Sequence, residues 1–159
     1  MFKSVKQFLG LWEHESNMTA KVLANLTDAS LSQSVAPGYR NLGELAWHIA
    51  ASIGEISGYT GLTFAAPRQK LPTPRHAAEI VAGYRQAAEG LANAIRGEWT
   101  DATLEIKDKL YGRVWPRGLT LQVILFHEIH HRGQVTVLMR QAGLTVPGVY
   151  GPSKDDRGV

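Results

Sequence analysis

Four stretches in which apolar residues return every three or four positions, each closed off by glycine or proline, restrict this chain to packed helices. In the first, Val5, Phe8, Trp12, Thr19, Val22, Leu23 and Leu26 mark one face of a helix from about Lys3 to Leu26. The second starts at Asn41, a good N-cap residue, and carries Leu42, Leu45, Ile49, Ile53 and Ile56 to about Thr60. After a linker marked by Pro67, Pro72 and Pro74, a third helix is predicted from about Pro74, because proline suits the first helical turn. It aligns Ala77, Ile80, Val81, Tyr84, Leu91 and Ile95 and stops near Gly97. The fourth runs from about Leu119 to Ala142, with Gly143 as its stop. Between the last two, Leu104-Glu105-Ile106-Lys107 alternates apolar with charged residues and Tyr111-Gly112-Arg113 supplies a turn, which predicts a short hairpin or an irregular excursion.

The expected architecture is therefore an all-α four-helix bundle whose long crossover connections depart from a simple up-down meander. It is read as one domain over residues 1–159, with a turn-rich tail from Pro147 to Pro152 across the surface.

On the fourth helix, His127 and His131 are four positions apart. Successive residues advance about 100°, so these two rings leave the same side of the helix, roughly 6 Å apart along its axis. The stripe assigned to them holds Thr120, Val123, Ile124, Gln134, Val135, Leu138 and Ala142, which predicts that both rings point into the bundle. Buried imidazoles need partners for both nitrogens, and two rings one turn apart compete for few acceptors. A shared divalent cation resolves that competition, since His nitrogens bind zinc-like metals at about 2.0 to 2.1 Å. A third ligand has to come from elsewhere, and His48 in the second helix is the best placed. It lies at the edge of the Leu45, Ile49 and Ile53 stripe, on the side of Ser52, Glu55 and Tyr59, an edge open to either the cavity or solvent. His130 is read as a packing or interface residue, and His14 and His76 as exposed or capping ones.

Cysteine is absent, so a transition-metal site must be built from His, Asp, Glu and water. Lys and Arg exceed Asp and Glu by 17 to 14, but the basic residues are scattered, with no stripe of the kind that tracks phosphates, and no nucleic-acid partner is expected. No apolar run is long enough for a bilayer, and Met1 to Trp12 does not resemble a secretory signal, so cytoplasmic location without membrane association is expected. On the first helix, Glu15, Ser16 and Asn17 interrupt the apolar stripe, with Glu15 and Asn17 assigned to the outer face. A second apolar sector on the fourth helix, Leu121, Leu125, Phe126, Ile129 and Met139, is assigned to a homodimer contact.

The run Arg40-Asn41-Leu42-Gly43-Glu44-Leu45-Ala46-Trp47-His48-Ile49, the element His127-Glu128-Ile129-His130-His131-Arg132-Gly133-Gln134 and the tail Gly148-Val149-Tyr150-Gly151-Pro152 resemble the DinB-like (DinB/YfiT) four-helix metalloproteins. The likeness covers nearly the whole chain, and His-x-x-x-His-Arg-Gly-Gln is its most specific part. It implies one divalent ion, nickel or zinc first and iron or manganese next, held by His48, His127 and His131. It also implies a homodimer, and relatives that include thiol-dependent transferases and isomerases using low-molecular-weight thiols.

Three imidazoles leave a coordination position open, which suits activation of a small thiol or water against an electrophilic small molecule. Arg132 is expected to pair with a carboxylate and Gln134 to orient a neighbouring ring. Glu55 and Glu128 are general-base candidates by helical projection alone. The competing expectation is a metal-stabilised dimeric scaffold without turnover.

Overall fold

A computed structural model of the chain describes residues 1–157. Its helices are α1 (Val5–Leu23), α2 (Leu42–Gly58), α3 (Ala77–Glu98) and α4 (Arg117–Gln141). Both α1 and α2 pack against α3 and α4, so α1 stands diagonally opposite α2, and α3 opposite α4. Two of the connections must therefore cross a diagonal, which is why they are long. The first, residues 24–41, holds a 3-10 turn, Asp28–Ser32, that buries Leu31. The other, residues 99–116, holds the expected hairpin, with strand β1 (Lys107–Leu110) antiparallel to β2 (Arg113–Pro116). Its turn residues Tyr111 and Gly112 have φ of 45° and 79°, as a two-residue hairpin turn requires.

Each helix start has an identifiable cause. Asn41 and Glu44 form a capping box: Asn41 Oδ1 accepts from the Glu44 amide at 2.8 Å, and Glu44 Oε2 accepts from the Asn41 amide at 2.9 Å. Helix α3 begins at Ala77 rather than at Pro74, because the carboxylate of Asp28 arrives from the first crossover and accepts the Ala77 amide at 2.7 Å. That bond satisfies a first-turn donor that His76, at the N-cap, leaves alone. The start of α4 is tied to the hairpin by Arg117, whose Nε donates to Asp108 Oδ2 at 2.8 Å.

The core joins Phe8, Trp12, Leu23, Ile49, Ile53, Tyr84, Leu91, Ile95 and Leu121, with Trp12 Nε1 donating to the Ala88 carbonyl at 3.0 Å. The stripe that α4 turns towards this core runs through Thr120, Leu121, Ile124, Leu125, Glu128, Arg132, Val135, Leu138 and Met139, so that Thr120, Ile124, Val135 and Leu138 are buried as expected. This corrects two expectations. Leu121, Leu125 and Met139 belong to the core and not to a second-copy contact, leaving Phe126 exposed. His127 and His131 sit half-buried at the rim of the core stripe, and Gln134 is exposed. Among the described residues no helix is long and apolar enough to cross a membrane.

Two close approaches set the surroundings of His48. A side chain on Gly83 of α3 would meet the Trp47 ring at 2.7 Å, so glycine there lets α2 settle against α3. A side chain on Gly54 would meet Ala66 at 2.7 Å, so the linker of residues 59–76 can lie directly on α2. That crossing carries Gln69 to His48.

Candidate metal centre

The edge position of His48 resolves towards α4. Its ring centroid lies 5.0 Å from that of His127 and 4.7 Å from that of His131, and the two α4 rings are 4.4 Å apart. One ligand nitrogen from each ring falls within 4.8 Å of the others, and no other such trio of His, Asp and Glu occurs among the described residues. His127 Nε2 and His131 Nε2 are 3.2 Å apart. Two nitrogens on one tetrahedral ion at the usual zinc distance are separated by about 3.3 Å, so this pair already has the spacing of a shared cation. The donor set of three half-buried imidazoles, with no thiolate, suits a first-row divalent metal.

The outward nitrogens of two rings are held by amides. His131 Nδ1 lies 2.6 Å from Gln134 Oε1, the partner expected for that glutamine. His48 Nδ1 lies against the Gln69 amide, 2.9 Å from Nε2 and 3.1 Å from Oε1. The Ser52 hydroxyl donates to the His48 carbonyl at 2.6 Å and accepts from Gln69 Nε2 at 2.8 Å, which fixes the amide over the ring. With Nδ1 of His48 and of His131 engaged by these amides, Nε2 of each ring is the nitrogen left to a cation.

Burial is the main cause that lowers the proton affinity of all three rings. His127 is pushed down to about 4, with the neighbouring histidines and the Arg40 guanidinium adding to the effect. The amide oxygens of Gln69 and Gln134 oppose it at His48 and His131, because they stabilise a ring that donates to them. The unprotonated, ligand-competent form is therefore the one the fold favours near neutral pH.

The other predicted residues separate from this cluster. His14, His76 and His130 are exposed; His76 Nδ1 pairs with Asp28 Oδ2 at 2.9 Å, and the His130 ring stands 4.9 Å from that of His131. Glu128 is not on the triad's side of α4. It is buried among α1 and α3, where its Oε1 accepts from Thr19 at 2.7 Å and from Tyr84 at 2.9 Å. Glu55 is exposed beside Tyr111.

Arg132 finds its carboxylate in Glu15, at 2.6 Å. Glu15 is thus buried, against the expectation of an outer face, because Arg132 fills the space opposite it. Arg132 also donates to Thr19 at 3.1 Å and to Tyr150 at 2.6 Å, and Tyr150 donates to Glu15 Oε2 at 2.7 Å. Sequence reasoning did not single out Gln69, Tyr84 or Tyr150. Only Tyr150 had a visible signal, its place in the motif-like tail.

This fold is shared with known proteins. The DinB family model matches residues 1–157. The uncharacterized protein YrdA of Bacillus subtilis is 46% identical over 156 residues, 98% of this chain and 93% of that protein. The crystal structure of a DinB-like protein from Bacillus cereus superposes with a TM-score of 0.91 at 45% identity, covering 94% of this chain and all of that one. A DinB-like protein of Bacillus subtilis, YjoA, shares the fold at a TM-score of 0.72 and 20% identity, with 90% of this chain and 97% of that one covered. Matched from end to end by the family model and by a relative at this level of identity, the chain belongs to the DinB family.

Proposed function

We propose that His48, His127 and His131 bind one divalent ion, nickel or zinc before iron or manganese, and that the protein is a metal-dependent enzyme acting on a small thiol or water. The observation that carries this reading is the convergence of the three rings, with the two α4 nitrogens already 3.2 Å apart. An ion there supplies Lewis acidity, which lowers the proton affinity of an incoming thiol or water. The chain's own groups do the rest. Gln69 and Gln134 engage the outward Nδ1 atoms of His48 and His131, so Nε2 of each of these rings stays turned inwards. No carboxylate joins the trio, so the full charge of the ion remains to attract an anionic nucleophile.

The reaction type is thiol transfer, thiol-dependent isomerisation or hydrolysis of an electrophilic small molecule. The working form is a cytoplasmic homodimer without a nucleic-acid partner, an assembly supported by exposed Phe126 on α4.

The test is elemental analysis of protein prepared without an affinity tag or chelator. About one transition-metal ion per chain is expected. His131→Ala should lose it while keeping a helical circular-dichroism spectrum, because the ring is outside the core stripe. Full occupancy in that variant would remove His131 from the ligand set. Absence of metal in the parent protein after reconstitution would leave a scaffold without turnover.

A further inference from the structure

Two grooves meet at the triad. One, of about 380 Å³, is walled by Val35, Leu45, Val137 and Leu138 and ends at His131 and Gln134. The other, of about 480 Å³, is more polar and passes Glu44, Thr73 and Gln69 to reach His48. Tyr39 and Arg40 line both, so they stand at the divide.

Arg40 is held there by the fold. The loop from Gln33 to Leu42 is closed at its base, with the Leu42 amide donating to the Gln33 carbonyl at 2.7 Å and a bridge between Ser34 and Asn41. Gly38, at φ 84°, makes the turn at its tip. Arg40 therefore enters α2 directly ahead of the Asn41 cap, with its direction set on both sides. Yet its guanidinium is exposed and forms no ion pair among the described residues. An arginine held beside an apolar groove without a carboxylate of its own has a free planar fork of donors, the geometry that takes a carboxylate with two parallel bonds.

The other charges in the grooves narrow the occupant. Glu44 lines the polar groove and is anchored to the Asn41 amide. It opposes a second negative charge on a ligand, which disfavours a phosphate dianion against a carboxylate. Arg40 opposes an amine. The first groove offers only Val35, Leu45, Val137, Leu138 and the face of Tyr39 beyond the triad, surface that a hydrocarbon chain removes from water.

We propose that the site takes a small amphiphilic monocarboxylate, its carboxylate on Arg40 and its apolar chain along the Val35, Leu45, Val137 and Leu138 groove beside the triad. Arg40 is then the residue that selects for charge, and Val137 and Leu138 the ones that select for an apolar chain. The inference rests on the proposed metal site only in taking the triad as the reacting end of the groove.

Three probes with one chain and different heads test it: hexanoate, hexan-1-ol and hexylammonium, titrated into chelator-treated, metal-free protein, where no ion competes for the carboxylate, and followed by methyl NMR shifts of Val35, Leu45, Val137 and Leu138. Hexanoate is expected to bind about ten-fold more tightly than the other two, the scale of one charge-assisted contact. Arg40→Gln should reduce all three to equal affinity, and Val137→Lys should weaken hexan-1-ol as well. Both positions are exposed, so neither variant is expected to impair folding. Equal affinities in the parent protein, or a carboxylate preference that survives Arg40→Gln, would overturn the proposal, as would shifts confined to other methyls. Zinc uptake by a second portion of the same protein separates this inference from the reading it rests on. Preference for hexanoate without zinc uptake would sustain the carboxylate groove and remove the metal enzyme; zinc uptake without preference would do the reverse.

Discussion

Helix α4 carries two polar clusters side by side, and they are built in opposite ways. His127 and Glu128 are neighbours in sequence, as are His131 and Arg132, so each cluster takes alternate members of the same turn. The Glu128 and Arg132 cluster lies in the core stripe and closes on itself. Arg132 is shared among Glu15, Thr19 and Tyr150, and Glu128 accepts from Thr19 and Tyr84. Only Glu128 Oε2 is left without a partner. The histidine cluster, half-buried at the rim, is engaged on its outer side by Gln69 and Gln134 at His48 and His131, and one inner nitrogen from each ring converges on a common centre. A network satisfied by protein groups at all but one oxygen holds helices together. One that stops short by a single central partner is arranged around something it does not contain.

The largest effect that would break this comparison lies in the closed cluster. Arg132→Met leaves the Glu15 carboxylate buried with Tyr150 as its remaining donor. Removing one member of a buried ion pair costs about 3 to 5 kcal/mol. Urea unfolding should show a loss on that scale, and adding Glu15→Leu should recover most of it, because the unpaired charge is then gone. A loss below about 1 kcal/mol, the range of exposed pairs, would mean that this cluster does not hold the bundle.

The same contrast explains what was legible in the sequence. The four helices and the hairpin followed from periodicity and turn residues, and the His127 and His131 spacing brought the two rings together on any helix. The core stripe of α4 was right at Thr120, Ile124, Val135 and Leu138 but wrongly centred, because its two central positions are Glu128 and Arg132, which hydropathy counts as surface. With those charges set outside, the apolar pattern fits best about one position away, on the histidines. The pairing that brings a glutamate and an arginine inside spans 117 residues and has no local trace. Gln69 was invisible for a different reason. It lies in an irregular linker, and its place depends on Ala66 crossing Gly54, a contact that no periodicity encodes.

Gln69 gives the intermediate prediction, and it sharpens the open side of the comparison. Gln69→Leu removes the amide that engages His48 Nδ1 and donates to Ser52 while keeping the linker's volume. Metal affinity should fall about 10- to 100-fold, the usual cost of losing an orienting partner, as measured by zinc competition with a chromogenic chelator. Unfolding of the metal-free protein should move by no more than about 0.5 kcal/mol, since the amide is at the surface of α2. Unchanged affinity would mean that packing alone orients His48.

The smallest effect is a slope in pH, and its sign differs between the clusters. Burial and its histidine neighbours lower His127 from 6.5 to about 4 in the folded protein. Between those values the unfolded chain binds a proton that the native state does not, so this group makes the metal-free protein lose stability as pH falls from 6.5 through 4. Glu128 is the reverse case, raised by burial from 4.5 to about 7, against the hydrogen bonds from Thr19 and Tyr84 that lower it. Here the native state holds the proton, so its contribution is present below 4.5 and is lost as pH rises through 7. The two slopes oppose each other over the shared window from 4.5 to 6.5. Glu128→Gln should therefore make metal-free stability rise more steeply with pH across that window than in the parent protein. His127→Gln should tilt the profile the other way. Urea midpoints at a series of pH values measure both, and identical tilts in the two variants would show that the adjacent positions share one electrostatic environment, contrary to the division between a closed and an open cluster.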